Sequence, residues 1–126
     1  MTMLAIFVGA GLGGLTRYGL SEWIQDSAGA AFPWGTLLIN VSGSLLLTFV
    51  YAVLEGTAAA PEWRAFLGIG LLGGYTTFST FSYETVRLIQ DGDWSRAGLY
   101  VGASVFASLG AAIIGFNLGL SFLRRG

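Results

Sequence analysis

Residues 34–54 read Trp-Gly-Thr-Leu-Leu-Ile-Asn-Val-Ser-Gly-Ser-Leu-Leu-Leu-Thr-Phe-Val-Tyr-Ala-Val-Leu, without one charged side chain. A helix needs about 20 apolar residues to cross the roughly 30 Å hydrocarbon core of a bilayer, and this run is long enough. Pro33 precedes it and suits a first helical turn, where a missing N–H costs nothing. Trp34 suits the headgroup level. Outward from this stretch the same pattern recurs, at about Met3 to Ile24, Ala65 to Gln90 and Ala97 to Leu123. Glu55 to Arg64, with Pro61 and Trp63, forms one loop, and Asp91-Gly92-Asp93-Trp94 forms another. The reading is an all-α membrane protein, a single domain over residues 1–126 with four transmembrane helices and both termini on one side. Ala28-Gly29-Ala30 has the small residues of a cleavage site. No Lys or Arg precedes the first apolar run, however, and Glu22 and Asp26 follow it, so it reads as a retained span.

Composition points the same way. The chain is 54% hydrophobic and 10% charged, against about 25% charged in an ordinary soluble domain, and its mean hydropathy is +0.70. Net charge is -1 with no basic patch, which excludes nucleic acid as a partner. Cysteine and histidine are both absent. That removes disulfides, thiolate nucleophiles and the commonest general base and metal ligand; an enzyme remains open, but its usual toolkit is missing.

All six basic residues are arginines. Arg64, Arg124 and Arg125 fall on the side of the termini; Arg87, Arg96 and Arg17, if its side chain snorkels outward, fall on the other. The positive-inside rule therefore gives almost no orientation, and the chain is expected to insert both ways and to pair inverted copies. Glycines recur at small-xxx-small spacing in Gly9/Gly13, Gly70/Gly74, Gly98/Gly102 and Gly115/Gly119, a signature of close helix approach in lipid. Gly9-Ala10-Gly11-Leu12-Gly13-Gly14 also matches the dinucleotide pattern G-x-G-x-x-G, but no strand precedes it and no acidic residue follows at the required distance.

The third span is chemically unlike the others. Residues 73–85 read Gly-Gly-Tyr-Thr-Thr-Phe-Ser-Thr-Phe-Ser-Tyr-Glu-Thr, which places six Ser or Thr hydroxyls and an acid in mid-membrane. A polar path lined by protein accounts for them. Gly73-Gly74, followed by Tyr75 and two threonines, is poor helix interior, so the third helix is expected to break near Gly73–Thr76. Carbonyls freed there must meet protein, water or a cation. Phe78 and Phe81, three apart, share one helix face. Their ring edges are electropositive and can favour an anion. Asn40 lies inside the second span as interhelical glue or pathway donor. Tyr100, Ser104 and Ser108, four apart, form a polar stripe on the fourth. Arg17 either snorkels or charges an anion vestibule.

The run from Gly73 to Thr85 resembles the hallmark of the Fluc (CrcB) fluoride channels. Pro-Trp-Gly-Thr-Leu-x-x-Asn at 33–40 is similar to that family's second helix, and the Tyr100, Ser104 and Ser108 stripe to its fourth. Tyr75 stands where a smaller or aliphatic residue is the rule. The resemblance implies an antiparallel, dual-topology homodimer in a bacterial-type plasma membrane, with two fluoride pores along the subunit interface. It also implies a structural sodium ion at the dimer centre, held by backbone carbonyls of Gly73 and Thr76 from each copy. Phe78 and Phe81 would contact fluoride; Asn40, Thr80, Tyr100, Ser104 and Ser108 would line the pore. Arg17 would lie towards a vestibule and Glu84 near the polar track. The activity implied is passive fluoride export. A small proton-coupled multidrug exporter is the alternative. It needs a membrane-embedded acid, and only Glu84 lies deep enough. A non-transporting scaffold subunit would explain the glycines but not the hydroxyls.

Overall fold

A computed structural model describes the whole chain, Met1–Gly126. It is all helical, and three of its helices are long and apolar enough to cross a membrane: α1 (Thr2–Ala28), α2 (Trp34–Gly56) and α5 (Trp94–Arg125). The remaining span is made in two pieces. The first, α3, covers residues 61–75: Pro61–Trp63 leads into Arg64–Leu72, wound as a π-helix, and Gly73–Tyr75 closes it with one α-turn. The second, α4, is Phe78–Gln90. Only 20 of 126 residues are buried, while large apolar side chains such as Phe7 and Phe106 stand 77% exposed. That ratio suits a fold whose outside is lipid, where packing inside the bundle replaces the hydrophobic effect.

Turn chemistry fixes the ends. Gly29 (φ 89°) ends α1 and Gly92 (φ 78°) turns the chain after α4, both in the backbone region that favours glycine. Asp93 caps α5: its side chain accepts from the Arg96 backbone N–H at 3.1 Å and pairs with the Arg96 guanidinium at 2.7 Å. Trp94 is thus the first residue of α5 rather than part of the loop.

Glycines set the two main helix crossings. On α1 and α3, a Cβ at Gly9 would lie 2.5 Å from the Phe66 carbonyl oxygen and one at Gly74 2.6 Å from that of Ala10. On α5, a Cβ at Gly119 would lie 2.6 Å from Ala52 Cβ of α2. Of the four small-xxx-small pairs, Gly98/Gly102 alone faces open space.

The break in the third span falls at the C-terminal end of the expected stretch Gly73–Thr76, at Thr76 and Thr77 and not at the glycines. Gly73 has helical dihedrals (φ -64°, ψ -38°), and Gly74 serves the close approach to α1. Thr76 (ψ 156°) and Thr77 (φ -150°, ψ 122°) are the extended residues. The physical reason lies on α2, in Asn40.

Candidate functional site

Asn40 treats the broken backbone as a partner strand would. Its side-chain amide donates to the Thr77 carbonyl at 2.9 Å, and its oxygen accepts the Thr77 N–H at 2.8 Å. In an unbroken helix that N–H would go to the Gly73 carbonyl, so the Gly73 oxygen is released from its regular partner, on an exposed residue. Thr77 then restarts the helix: its Oγ1 accepts from the Thr80 backbone N–H at 3.2 Å, an N-cap, and donates to the Thr80 hydroxyl at 3.1 Å.

A groove of about 360 Å³ opens beside the break. Asn40, Phe78, Phe81, Ser104 and Ser108 line it together, with Ser44, Thr76 and Thr77 completing its polar wall. Phe78 is 78% exposed at its rim. The Phe78 and Phe81 ring centroids are 5.4 Å apart and tilted by 55°. Ser104 is buried, and its hydroxyl has no hydrogen-bond partner within the chain. A buried orphan hydroxyl costs about 1–3 kcal/mol, which a polar occupant of the groove would remove.

A second cavity of about 290 Å³ lies on the other side of Thr77, which lines both. Arg17, Thr80 and Glu84 meet there with Tyr18, Ser21 and Thr36. Arg17 has no carboxylate within ion-pair distance, since the chain's one salt bridge is Arg96–Asp93. Thr80 therefore faces this cavity and not the groove.

Tyr100 is placed differently from Ser104 and Ser108. It is fully buried, with its ring centroid 5.2 Å from Phe81 and 5.5 Å from Phe32. Its hydroxyl donates to Glu84 at 2.6 Å, and Thr36 donates to the other Glu84 oxygen at 2.8 Å. Tyr100 thus supports Phe81 from behind and tethers the carboxylate, while the groove wall is left to the two serines. The Glu84 oxygens each accept a hydrogen bond, and Glu84 also faces a third cavity, with Gln25, Phe32 and Arg87, beneath the first loop. Gln25 pins that loop, donating to the carbonyls of Gly29 and Phe32 and accepting the Gly35 N–H.

Residues 4–116 match the family model described as CrcB-like protein, Camphor Resistance (CrcB). The chain belongs to the CrcB family. Among curated members, a fluoride-specific ion channel FluC of Thermus thermophilus is 48% identical over 117 residues, covering 92% of this chain and 91% of that protein. Fluoride-specific ion channel FluC 1 of Leifsonia xyli is 47% identical over 120 residues, covering 94% and 87%. A FluC of Shewanella baltica is 46% identical over 99 residues, covering 79% and 80%. As a CrcB protein with three unbroken spans and one broken one, the chain is a multi-pass membrane protein.

The CrcB match does not by itself assign residues, and the geometry adds some that spacing did not single out. Thr36 and Gln25 act through contacts 48 and 10 residues away. An uncharged Thr or Gln gives no sequence signal of such a reach. Ser44 sits one helical turn from Asn40, which places it on the same face.

Proposed function

We propose that the protein is a fluoride channel giving passive export of the ion, built from two inverted copies with two pores. The observation that carries this reading is the groove wall: an orphan buried Ser104 hydroxyl, Ser108 and the Asn40 amide face the rings of Phe78 and Phe81. Fluoride is small and strongly hydrated, so leaving water is costly unless fixed donors replace its shell. Hydroxyl and amide donors do this without a full positive charge that would trap the ion, and the ring edges add a weak positive field. Arg17 shares the adjoining cavity with the carboxylates Glu22 and Glu84 and pairs with neither, so that cavity carries no excess positive charge and the neutral donors of the groove carry the reading. A larger anion such as chloride gains less from short, closely set donors.

The same reading includes a central sodium ion. The chain has no cluster of His, Cys, Asp or Glu able to hold a metal, so the donors would be carbonyls. Gly73, released by the Asn40 clamp, and Thr76, in extended backbone, are the available pair. Two oxygens are too few for a hard cation, which is held by several, and a second copy would bring the set of carbonyls to four. Its contribution would be to hold the two breaks together. The exporter alternative loses ground at Glu84, whose two oxygens are engaged by Thr36 and Tyr100.

The test is fluoride efflux from liposomes containing only this chain. Fluoride should leave rapidly, with chloride retained, and no proton gradient should be needed. Efflux of a cationic dye driven by a pH gradient, without fluoride flux, would overturn the reading.

A further inference from the structure

The last residue before the break, Tyr75, is buried among Ile39, Leu72, Leu47 and Val50, and its hydroxyl lies 2.9 Å from Ser42 Oγ. Ser42 Oγ also lies 3.2 Å from the Ile39 carbonyl, and either hydroxyl of the Ser42–Tyr75 pair can donate. Beside it, α2 leaves no room for slack: a Cβ at Gly43 would lie 3.0 Å from Tyr75 Cδ1 and would overlap the Thr76 methyl. The break is therefore held at both ends by one helix. Asn40 grips the backbone of Thr77, Ser42 grips the hydroxyl of Tyr75, and the Thr76 peptide is stretched between them.

We propose that Tyr75 and Ser42 form a second brace that positions the Thr76 carbonyl for its cation. They are positioning residues that touch no ion themselves. A residue without a hydroxyl at 75 could fill the same apolar pocket but could not fix its rotation about the helix axis. With only Asn40 holding, the Thr76 peptide could swing about Thr77 as a one-point hinge. Two points define its direction. This inference rests on the sodium reading above and deepens it: in this chain the sodium geometry depends on a side-chain pair on top of the backbone ligands.

The experiment is thermal melting of the purified full chain in detergent across a sodium series, with N-methylglucamine as the replacing cation. Wild type should gain stability with sodium. Tyr75→Phe and Ser42→Ala should each raise the half-protecting sodium concentration about five-fold, the equivalent of one ordinary hydrogen bond. The double variant should be no worse than either single one, because both delete the same bond. Melting in sodium-free buffer should fall slightly, by the loss of the bond itself, and the gap to wild type should widen as sodium is added. If both variants melt lower by the same amount at every sodium concentration, sodium-free buffer included, the bond is only structural and the proposal falls. Ser42→Ala removes the other hydroxyl of the pair and carries the test if Tyr75→Phe does not purify. A wild-type protein indifferent to sodium would instead overturn the sodium reading itself, and a sodium response shared unchanged by all variants would overturn only the brace.

Discussion

Asn40 offers the sharpest test, because its two proposed roles predict different outcomes. Its amide satisfies one backbone donor and one backbone acceptor of Thr77, at 2.8 and 2.9 Å. Interhelical hydrogen bonds in membrane proteins average only about 0.6 kcal/mol. Here, however, the partners are main-chain groups that the broken helix cannot serve, and each one left unmet costs about 1–3 kcal/mol. Asn40→Ala strands both, and because the groove admits water the lower half of that range applies, giving a loss of about 2–4 kcal/mol. Asn40→Asp still accepts the N–H but sets a carboxylate oxygen against the Thr77 carbonyl, for a loss of about 2 kcal/mol. It also places negative charge on an anion path. Both variants should therefore melt earlier and lose fluoride efflux. Ser44→Ala, in the same groove and without a hydrogen bond through its side chain, should stay within about 0.5 kcal/mol of wild type. Denaturant or thermal unfolding of the purified proteins, run beside liposome efflux, reads both roles. An Asn40→Ala protein as stable as wild type would refute the clamp, whatever its flux.

Phe78→Ile should leave stability nearly unchanged, since Phe78 is 78% exposed, and should abolish fluoride efflux by removing the ring edge. Phe81→Ile should do the same to flux but also cost about 0.5–1.5 kcal/mol through the lost aromatic contact with Tyr100; wild-type efflux from both variants would end the ring-edge account. Reporters fused to the C-terminus and active on one side of the membrane only should give signal on both sides, and signal from one side alone would reject dual insertion.

The unbroken helices were legible because each depends on local composition. Apolar runs, Pro33, Gly92 and the Asp93 cap are signals within a few residues of what they control. The third span was only half legible. Its hydroxyls announced a polar path, and the break expected near Gly73–Thr76 falls at the far end of that stretch, because Gly74 serves the crossing with Ala10 on α1. Nothing local in Thr76-Thr77 says that Asn40, 37 residues before Thr77, takes over the Thr77 backbone bonds. The same holds for Tyr100. Four-residue spacing with Ser104 and Ser108 put it on their face, but its length carries the hydroxyl past the groove to Glu84. The π-winding of Arg64–Leu72 has no counterpart in the spacing of that segment's apolar residues.

The groove has donors on one wall and open space on the other, and that asymmetry bears on why a single copy would not conduct. An ion leaving water must exchange its whole hydration shell, and Ser104, Ser108 and Asn40 can replace only the part that faces them. Lipid on the remaining side would leave the desolvation cost unmet. On the proposed channel reading a second protein surface closes the groove. Phe78, largely exposed at the rim, would then lie at that seam. The released Gly73 carbonyl, also exposed, asks for the same neighbour. On the same reading an arginine distribution that leaves orientation open would supply inverted copies, and an antiparallel pair would repeat the groove once for each copy. Pairing would then follow from the chemistry of one wall.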